Sequence, residues 1–165
     1  TISKTIHIVN VEKVRLKDFF YVIIIYFLAI RFESRLGRFI ELNSPQTIRT
    51  IVDKVKTLTG LKHVRLALAN DKTLDSSIKT IAVCAGSGSS VFTDAKDVDV
   101  QLTGELSHHA VLDAIHRGTT IILCDHTNTE RGFLKHVKER FETIWNENQV
   151  KFILSERERD ALEIV

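Results

Sequence analysis

The stretch VDVQLTGELSHHAVLDAIHRGTTIILC, residues 98–124, determines the fold class. Its apolar ends, residues 98–102 and 119–124, have the length and the β-branched content of buried strands. Between them, residues 107–117 have the apolar spacing of a helix, and Gly118 is a typical helix stop. Because strands separated by a helix pair in parallel, the sequence predicts an α/β fold with a mostly parallel sheet and flanking helices.

The same alternation extends to both sides of this stretch. Ser44 is predicted to cap a helix with Pro45 in its first turn, and Gly60 is predicted to end that helix. The other predicted elements are strands at 63–68, 79–85 and 150–154, a short helix at 89–95 and a helix at 129–145. In such a sheet the loops that follow residues 79–85, 98–102 and 119–124 share one edge, where open α/β folds bind ligands.

Composition is that of an ordinary single domain. The chain has 165 residues, 27% charged residues and a formal net charge of +2, without the Lys/Arg stripe that direct nucleic-acid binding requires. Cys84 and Cys124 lie inside apolar runs, as buried thiols do, and two such thiols form no disulfide framework. A reducing compartment is therefore expected, with the cytoplasm as the first choice and the mitochondrion or the nucleus as alternatives.

The first 35 residues form a separate, unassigned segment. Its apolar run at 19–30 has 12 residues, too few for a membrane span, which needs about 20. The run fits a buried strand, a core helix or an interfacial segment equally well. Because the sequence contains no Met, we also consider that the chain is a fragment or that this segment is a gene-model artefact.

A glycine- and serine-rich loop follows the predicted strand 79–85. Its residues are Gly86, Ser87, Gly88, Ser89 and Ser90. Glycines allow backbone N–H groups to approach an anion, so the loop is a candidate cofactor- or substrate-binding site. The P-loop lysine and the third glycine of a dinucleotide fingerprint are missing, and a purely structural tight turn remains the alternative.

The second candidate loop carries Glu105, His108 and His109. A helix N-terminus disfavours a charged imidazole, so these histidines are expected to be neutral and able to ligate a metal or act as a base. In the alternative interpretation Ser107 caps the helix, one histidine packs against the protein and the other faces water.

The third candidate loop places His126 and Glu130 four residues apart. If a helix begins at Thr127, both side chains lie on one face of its first turn, and a His–carboxylate pair suits zinc, iron or manganese. The competing hypothesis is a capping box, in which the Glu130 side chain reaches back to the Thr127 backbone N–H.

Several motifs in this order resemble the C-terminal half of the NGG-interacting factor three-like family, whose eukaryotic members are most similar. They are Gly37-Arg38 with Leu42, LKHVRLAL (61–68), VCAGSGSS (83–90), LTGELSHH (102–109) and CDHTNTERGFL (124–134). The resemblance covers residues 36–165. It implies one lobe of a two-lobed metal-binding fold, and the family also carries the label GTP cyclohydrolase one type two-like, a hydrolase-like activity.

The resemblance also implies roles for the candidate residues. His126 and Glu130 would be metal ligands of the C-terminal lobe, and Glu105, His108 and His109 would line the same cleft as catalytic or supporting groups. Two divalent ions and a homo-oligomer are implied for the full-length protein. The family's other ligands, a His-His pair followed by Pro and a later Asp, have no counterpart in residues 1–35.

Two alternatives to a metal-dependent enzyme stay open. One is a non-catalytic protein that binds a partner in transcription regulation, as the family name suggests. The other is an inactive fragment, because the ligand set within this chain is incomplete.

Overall fold

A computed structural model describes residues 11–14 (backbone only), 37–95, 97–145, 150–157 and 162. The described part forms one six-stranded sheet with three α-helices and two short 3-10 helices, which confirms the α/β class. The strands are β1 (Val11–Val14), β2 (Gly37–Thr47), β3 (Arg65–Ala67), β4 (Ser77–Ser87), β5 (Val100–Glu105) and β6 (Thr120–Leu123). The helices are α1 (Ile48–Thr59), α2 (His108–His116) and α3 (Phe133–Ile144), and the 3-10 helices are Phe92–Asp94 and Thr127–Thr129.

The sheet is mixed, with the order β1-β2-β4-β5-β6-β3. Its centre is parallel, as predicted, because β4 pairs with β5 and β5 with β6 in one direction. The prediction of a mostly parallel sheet is confirmed in part: three of the five strand pairs in the described structure are parallel, β1–β2 among them, but β2 runs antiparallel to β4 and β3 antiparallel to β6. Side-chain periodicity identifies a strand but says nothing about its direction, which depends on how the connecting segments return.

Both faces of the sheet are covered. On one face α1 buries Ile48, Ile51 and Val55 against the central strands. The other face is covered by the 3-10 helix Phe92–Asp94 and by α2, which buries Ala114. Strand β4 therefore alternates between the two layers, with Ile81 and Val83 on the first face and Ala82 and Cys84 on the second.

The helix predicted to begin at Ser44 begins three residues later. Ser44 and Pro45 belong to β2, where pairing with β4 is irregular between Glu41 and Gln46. A proline fits there because it has no N–H to donate to a ladder. The helix cap is Thr47, whose hydroxyl accepts a hydrogen bond from the Thr50 N–H at 3.2 Å. The predicted end is confirmed, since Gly60 adopts the left-handed conformation with φ 70°.

The C-terminal predictions need more correction. The segment 129–145 becomes α-helical only at Phe133, and 89–95 contains only the 3-10 helix Phe92–Asp94. Residues 150–154 form no strand in the described structure. Instead the Phe152 ring packs on Phe141 and Trp145, with centroids 5.5 and 6.0 Å apart, so aromatic contacts with α3 replace sheet pairing.

The apolar run 19–30 lies outside the described residues. Within the part of the chain that is described, no helix is both long and apolar enough to cross a bilayer.

Candidate metal centre

The ends of three parallel strands bring the three candidate loops together. Glu105 is the last residue of β5, and His126 follows the end of β6. The Nδ1 atom of His126 lies 2.7 Å from Oε1 of Glu105. Gly86, at the end of β4, packs against both loops. The predicted convergence is confirmed, with one correction: residues 103–105 are part of β5 and not a loop after it.

His126 and Glu130 face each other. His126 immediately precedes the 3-10 helix Thr127–Thr129, and its Nε2 atom lies 3.4 Å from Oε2 of Glu130. The capping-box hypothesis is wrong, because the cap position of this short helix is His126 and no side-chain hydrogen bond caps it. The backbone N–H of Glu130 donates to the Thr127 carbonyl at 3.1 Å. The Glu130 carboxylate faces the His126 imidazole and does not reach back to the helix start.

Gly86 lies directly behind this pair. It has φ 63°, and a Cβ atom built on it would lie 2.7 Å from Oε1 of Glu130 and 3.0 Å from Nε2 of His126. Only glycine combines this left-handed backbone with such a close approach. The backbone of Gly86 therefore forms the wall against which the His–Glu pair rests.

The rest of the glycine- and serine-rich loop is organised by packing. The Gly86 N–H donates to Oγ1 of Thr129 at 2.8 Å, and the Gly88 N–H donates to the Glu105 carbonyl at 3.4 Å. A Cβ on Gly88 would lie 2.5 Å from the Phe92 ring. These contacts favour the tight-turn interpretation for both glycines. Binding of an anion by the exposed Ser87, Ser89 and Ser90 stays a prediction.

His108 and His109 occupy the first turn of α2 and are exposed. Ser107 caps this helix by accepting the Ala110 N–H at 3.2 Å, as its sequence position predicts. The two rings meet edge to face with centroids 6.1 Å apart. Neither ring makes a hydrogen bond or ion pair with His126 within the described structure, and their catalytic role stays a prediction.

The structure adds an ion pair that the sequence did not indicate. Nη2 of Arg65 lies 2.8 Å from Oδ1 of Asp125, the residue before His126. Asp125 has φ 63°, a conformation that is uncommon outside glycine and is held here between β6 and the turn. Arg65 reaches this edge because β3 is antiparallel to β6, so its first residue lies beside the last residue of β6.

The two thiols near the site are poor ligands. Burial, with a smaller contribution from the negative charge of Glu130, raises the pKa of Cys84 to about 11. Burial raises the pKa of Cys124 to about 12, with a smaller contribution from Asp125. Since metals bind thiolate and not thiol, the donors available at this edge are imidazole nitrogen and carboxylate oxygen.

His126 and Glu130 fit one side of a metal coordination sphere. Two ligands about 2.0–2.1 Å from a tetrahedral ion lie about 3.4 Å apart, which matches their observed separation. The Glu105 contact with Nδ1 is the carboxylate–histidine arrangement common among metal-bound imidazoles. No group of three or more His, Cys, Asp or Glu side chains suitable for a metal occurs among the described residues.

Fold and site together define a mixed α/β domain that carries a His–Glu pair at the carboxyl edge of its parallel strands. The family profile described as Duf34/NIF3 (NGG1p interacting factor 3) matches residues 1–161, and the chain belongs to this family. The resemblance stated from the sequence motifs is thereby confirmed. The match begins at residue 1 and so includes the first 35 residues, which the quoted motifs do not reach.

Individual relatives agree with this assignment. The chain is 46% identical to NIF3-like protein 1 of Bos taurus over 130 residues, which cover 79% of the chain and 34% of that relative. It is 48% identical to NGG1-interacting factor 3 of Saccharomyces cerevisiae over 104 residues, which cover 61% of this chain and 36% of that relative. The chain thus spans about a third of the length of these curated relatives.

A solved structure shares the fold. The Bacillus cereus protein related to NIF3 superposes with a TM-score of 0.67 at 23% identity, over 78% of this chain and 36% of that one. At this level of identity the similarity establishes the fold alone.

Proposed function

We propose that this chain is a lobe of a metal-dependent, hydrolase-like protein and that it supplies His126 and Glu130 as ligands to a divalent ion. The observation that supports this proposal is the line of three side chains Glu105, His126 and Glu130, with separations of 2.7 and 3.4 Å. Nitrogen and oxygen donors of this kind suit zinc, iron or manganese.

Glu105 acts in this proposal by orienting His126. Its carboxylate accepts the Nδ1 proton of the imidazole, and this contact leaves Nε2 as the lone-pair donor that faces Glu130. This role differs from the catalytic role predicted from the sequence, because the carboxylate is already committed to the imidazole. A bound divalent ion would lower the pKa of a coordinated water and so provide a nucleophile for hydrolysis.

Other candidate residues surround this centre in the proposed protein. His108 and His109, exposed on α2, would contact substrate or transfer protons, and the exposed serines after Gly86 would bind an anionic group. Because the chain spans about a third of its relatives, the remaining ligands, a second ion and homo-oligomer assembly belong to the whole protein. Two buried, unpaired thiols suit the reducing cytoplasm.

Metal titration of the purified chain tests the proposal. Calorimetry with Zn²⁺ and Mn²⁺ is expected to show binding that falls at least about tenfold in His126→Ala and in Glu130→Ala, since each change removes a ligand.

His136→Ala is the matched control for this titration. Nδ1 of His136 lies 3.4 Å from Oε2 of Glu139, and the exposed fractions of these side chains are close to those of His126 and Glu130, but His136 has no second carboxylate among its described contacts. Equal binding by the unchanged chain and His126→Ala would reject the proposal.

A second candidate function is non-catalytic protein binding. The yeast relative is named NGG1-interacting factor 3, and in this chain Ile144, the last residue of α3, and Trp145, the residue after it, are 61% and 53% exposed. Sedimentation of the purified chain with yeast NGG1 protein tests this candidate directly. A complex that Ile144→Asp weakens would support it, whereas independent sedimentation of the two proteins would reject it.

A further inference from the structure

A buried threonine joins the glycine loop to the His126 turn. The Thr129 hydroxyl donates to the His126 carbonyl at 2.7 Å and accepts the Gly86 N–H at 2.8 Å. Thr129 is 3% exposed, so water does not compete for these bonds. A hydroxyl can donate one hydrogen bond and accept others through its lone pairs. Thr129 uses the donor on the His126 turn and an acceptor on the glycine loop.

The Gly86 peptide is held on its other side as well. The Thr103 hydroxyl, on a fully buried residue of β5, donates to the Gly86 carbonyl at 3.0 Å. We call Thr103, Gly86 and Thr129 the threonine bracket. It ties β4, β5 and the His126 turn together immediately behind the His126 and Glu130 side chains, where a Gly86 Cβ would collide with both.

The bracket limits the positions that the His–Glu pair can adopt. The space on the Cβ side of Gly86 is filled by this pair, since a Cβ there would lie 2.7 Å from Oε1 of Glu130 and 3.0 Å from Nε2 of His126, so a shift of the peptide towards the pair displaces the two side chains. Without the Thr129 hydroxyl, the Gly86 N–H and the His126 carbonyl each lose a buried partner, and such groups move to find another.

We propose that Thr129 is a positioning residue of the metal centre, acting through Gly86 and the His126 backbone without contacting the ion. This inference rests on the proposed function, because it assigns the bracket the task of fixing the ligand pair. Its chemistry is separate from that of Glu105, which fixes the imidazole ring through Nδ1.

The test compares Thr129→Val, which has the same shape without the hydroxyl, with Thr129→Ser, which retains it. Groups that support metal ligands typically contribute 10–100-fold to affinity, so we expect Zn²⁺ binding to weaken about tenfold in the valine variant and to stay within about twofold in the serine variant.

Thr120→Val is the control for general destabilisation. Thr120 is fully buried, and its hydroxyl accepts the Ala69 N–H at 3.2 Å at the opposite end of β6. This variant is expected to lower the melting temperature and leave Zn²⁺ affinity unchanged. Unchanged affinity in Thr129→Val, or an equal loss in Thr120→Val, would overturn the inference.

A metal-free measurement separates this inference from the proposed function. Nitrogen-15 NMR of the neutral His126 imidazole is expected to show the Nδ1-protonated tautomer in the unchanged chain, because the Glu105 carboxylate accepts a hydrogen bond from the Nδ1–H group. In Thr129→Val the ring signals are expected to shift towards a mixture of tautomers, and in Thr129→Ser to stay in place. An unaltered spectrum in Thr129→Val would contradict the positioning role even if the chain bound no metal.

Discussion

Two glycines of this chain share a left-handed backbone but differ in what surrounds them. Gly60 has φ 70° with no atom within 4 Å of a Cβ position, whereas the Cβ position of Gly86, at φ 63°, lies 2.7 Å from a Glu130 oxygen. Gly60 therefore serves only to end α1. Gly86 additionally makes room for the two proposed metal ligands.

Alanine substitutions separate these two requirements. Gly60→Ala is expected to lower the free energy of unfolding by about 1 kcal/mol, because a left-handed L-residue costs about 1–2 kcal/mol. Gly86→Ala is expected to cost more and also to weaken Zn²⁺ binding, since the new methyl displaces Glu130 and His126. Urea denaturation and calorimetry measure the two effects, and intact Zn²⁺ binding in Gly86→Ala would refute the close contact.

Asp99 stabilises the end of the sheet opposite to His126 and Glu130. Its Oδ2 atom accepts the N–H groups of Lys79 and Thr80 at 2.8 and 2.9 Å and the Thr80 hydroxyl at 3.0 Å. Partial burial raises the pKa of this carboxyl, but the hydrogen bonds outweigh burial and the net shift is downward. The charged form is therefore the one that holds the start of β4.

This shift predicts a dependence of stability on pH. The folded-state pKa of Asp99 lies below the unfolded value of about 3.9. Its contribution to the free energy of unfolding is therefore complete when the pH is above the unfolded value, and it is lost as the pH falls through the folded-state pKa. Asp99→Asn is expected to lower stability by about 1 kcal/mol at neutral pH and to flatten the loss in acid. Thermal melts from neutral to acidic pH measure both effects.

Asp75→Asn is the comparison for that experiment. Its hydrogen bond and ion pair with Arg49 lower the pKa of Asp75, but both side chains are exposed. Solvent screens such a pair, so the acid slope is expected to change less than in Asp99→Asn. An equal change in both variants would contradict the structural role of Asp99.

The candidate site residues that could be predicted from the sequence are those that a short sequence pattern identifies. His126 and Glu130 are four residues apart, and Glu105 lies at the end of a strand that the sequence reveals. Arg65 and Thr129 were missed because their roles depend on contacts 60 and 43 residues away along the chain. No local pattern distinguishes Thr129 from Thr127, the other threonine of the turn.

At the scale of elements, helices with similar amphipathic sequences have different environments. Helix α1 buries Ile48, Ile51 and Val55, whereas α3 buries none of its residues. Helical periodicity predicted both helices, but periodicity alone does not show whether an apolar stripe is covered. The stripe of α3 instead contacts Phe152, which accounts for the incorrect strand prediction at 150–154.

Truncation of one isoleucine in each helix measures this difference. Ile51→Ala is expected to cost about 2–5 kcal/mol of unfolding free energy, because Ile51 is fully buried and its loss leaves a cavity. Ile144→Ala is expected to change stability by less than about 0.5 kcal/mol, because this side chain is 61% exposed. Urea titration of both variants provides the measurement. A large loss in Ile144→Ala would indicate that α3 is covered in solution.

At the scale of the whole molecule, strand direction is predicted correctly where a helix connects two neighbouring strands. The parallel pairing of β5 with β6 follows from the strand–helix–strand pattern of residues 98–124, and β4 joins them as a third parallel strand through the segment that contains the short 3-10 helix. The directions of β2 and β3, which run antiparallel to β4 and β6, could not be inferred in this way. The direction of a strand depends on how the chain packs in three dimensions and does not change the spacing of its apolar side chains. The direction of β3 nevertheless decides that Arg65 lies beside Asp125.

The convergence of three parallel strand ends has a consequence for the order of folding events. His126 and Glu130 are close along the chain, but the contacts that fix them are not. Glu105 and His126 are 21 residues apart, and Gly86 and Thr129 are 43 residues apart. Contacts of such high sequence separation close late, since loop closure must precede parallel pairing. The two proposed ligands can therefore come near each other as soon as their own turn forms, whereas the contacts that fix their geometry require β4, β5 and this turn to be assembled.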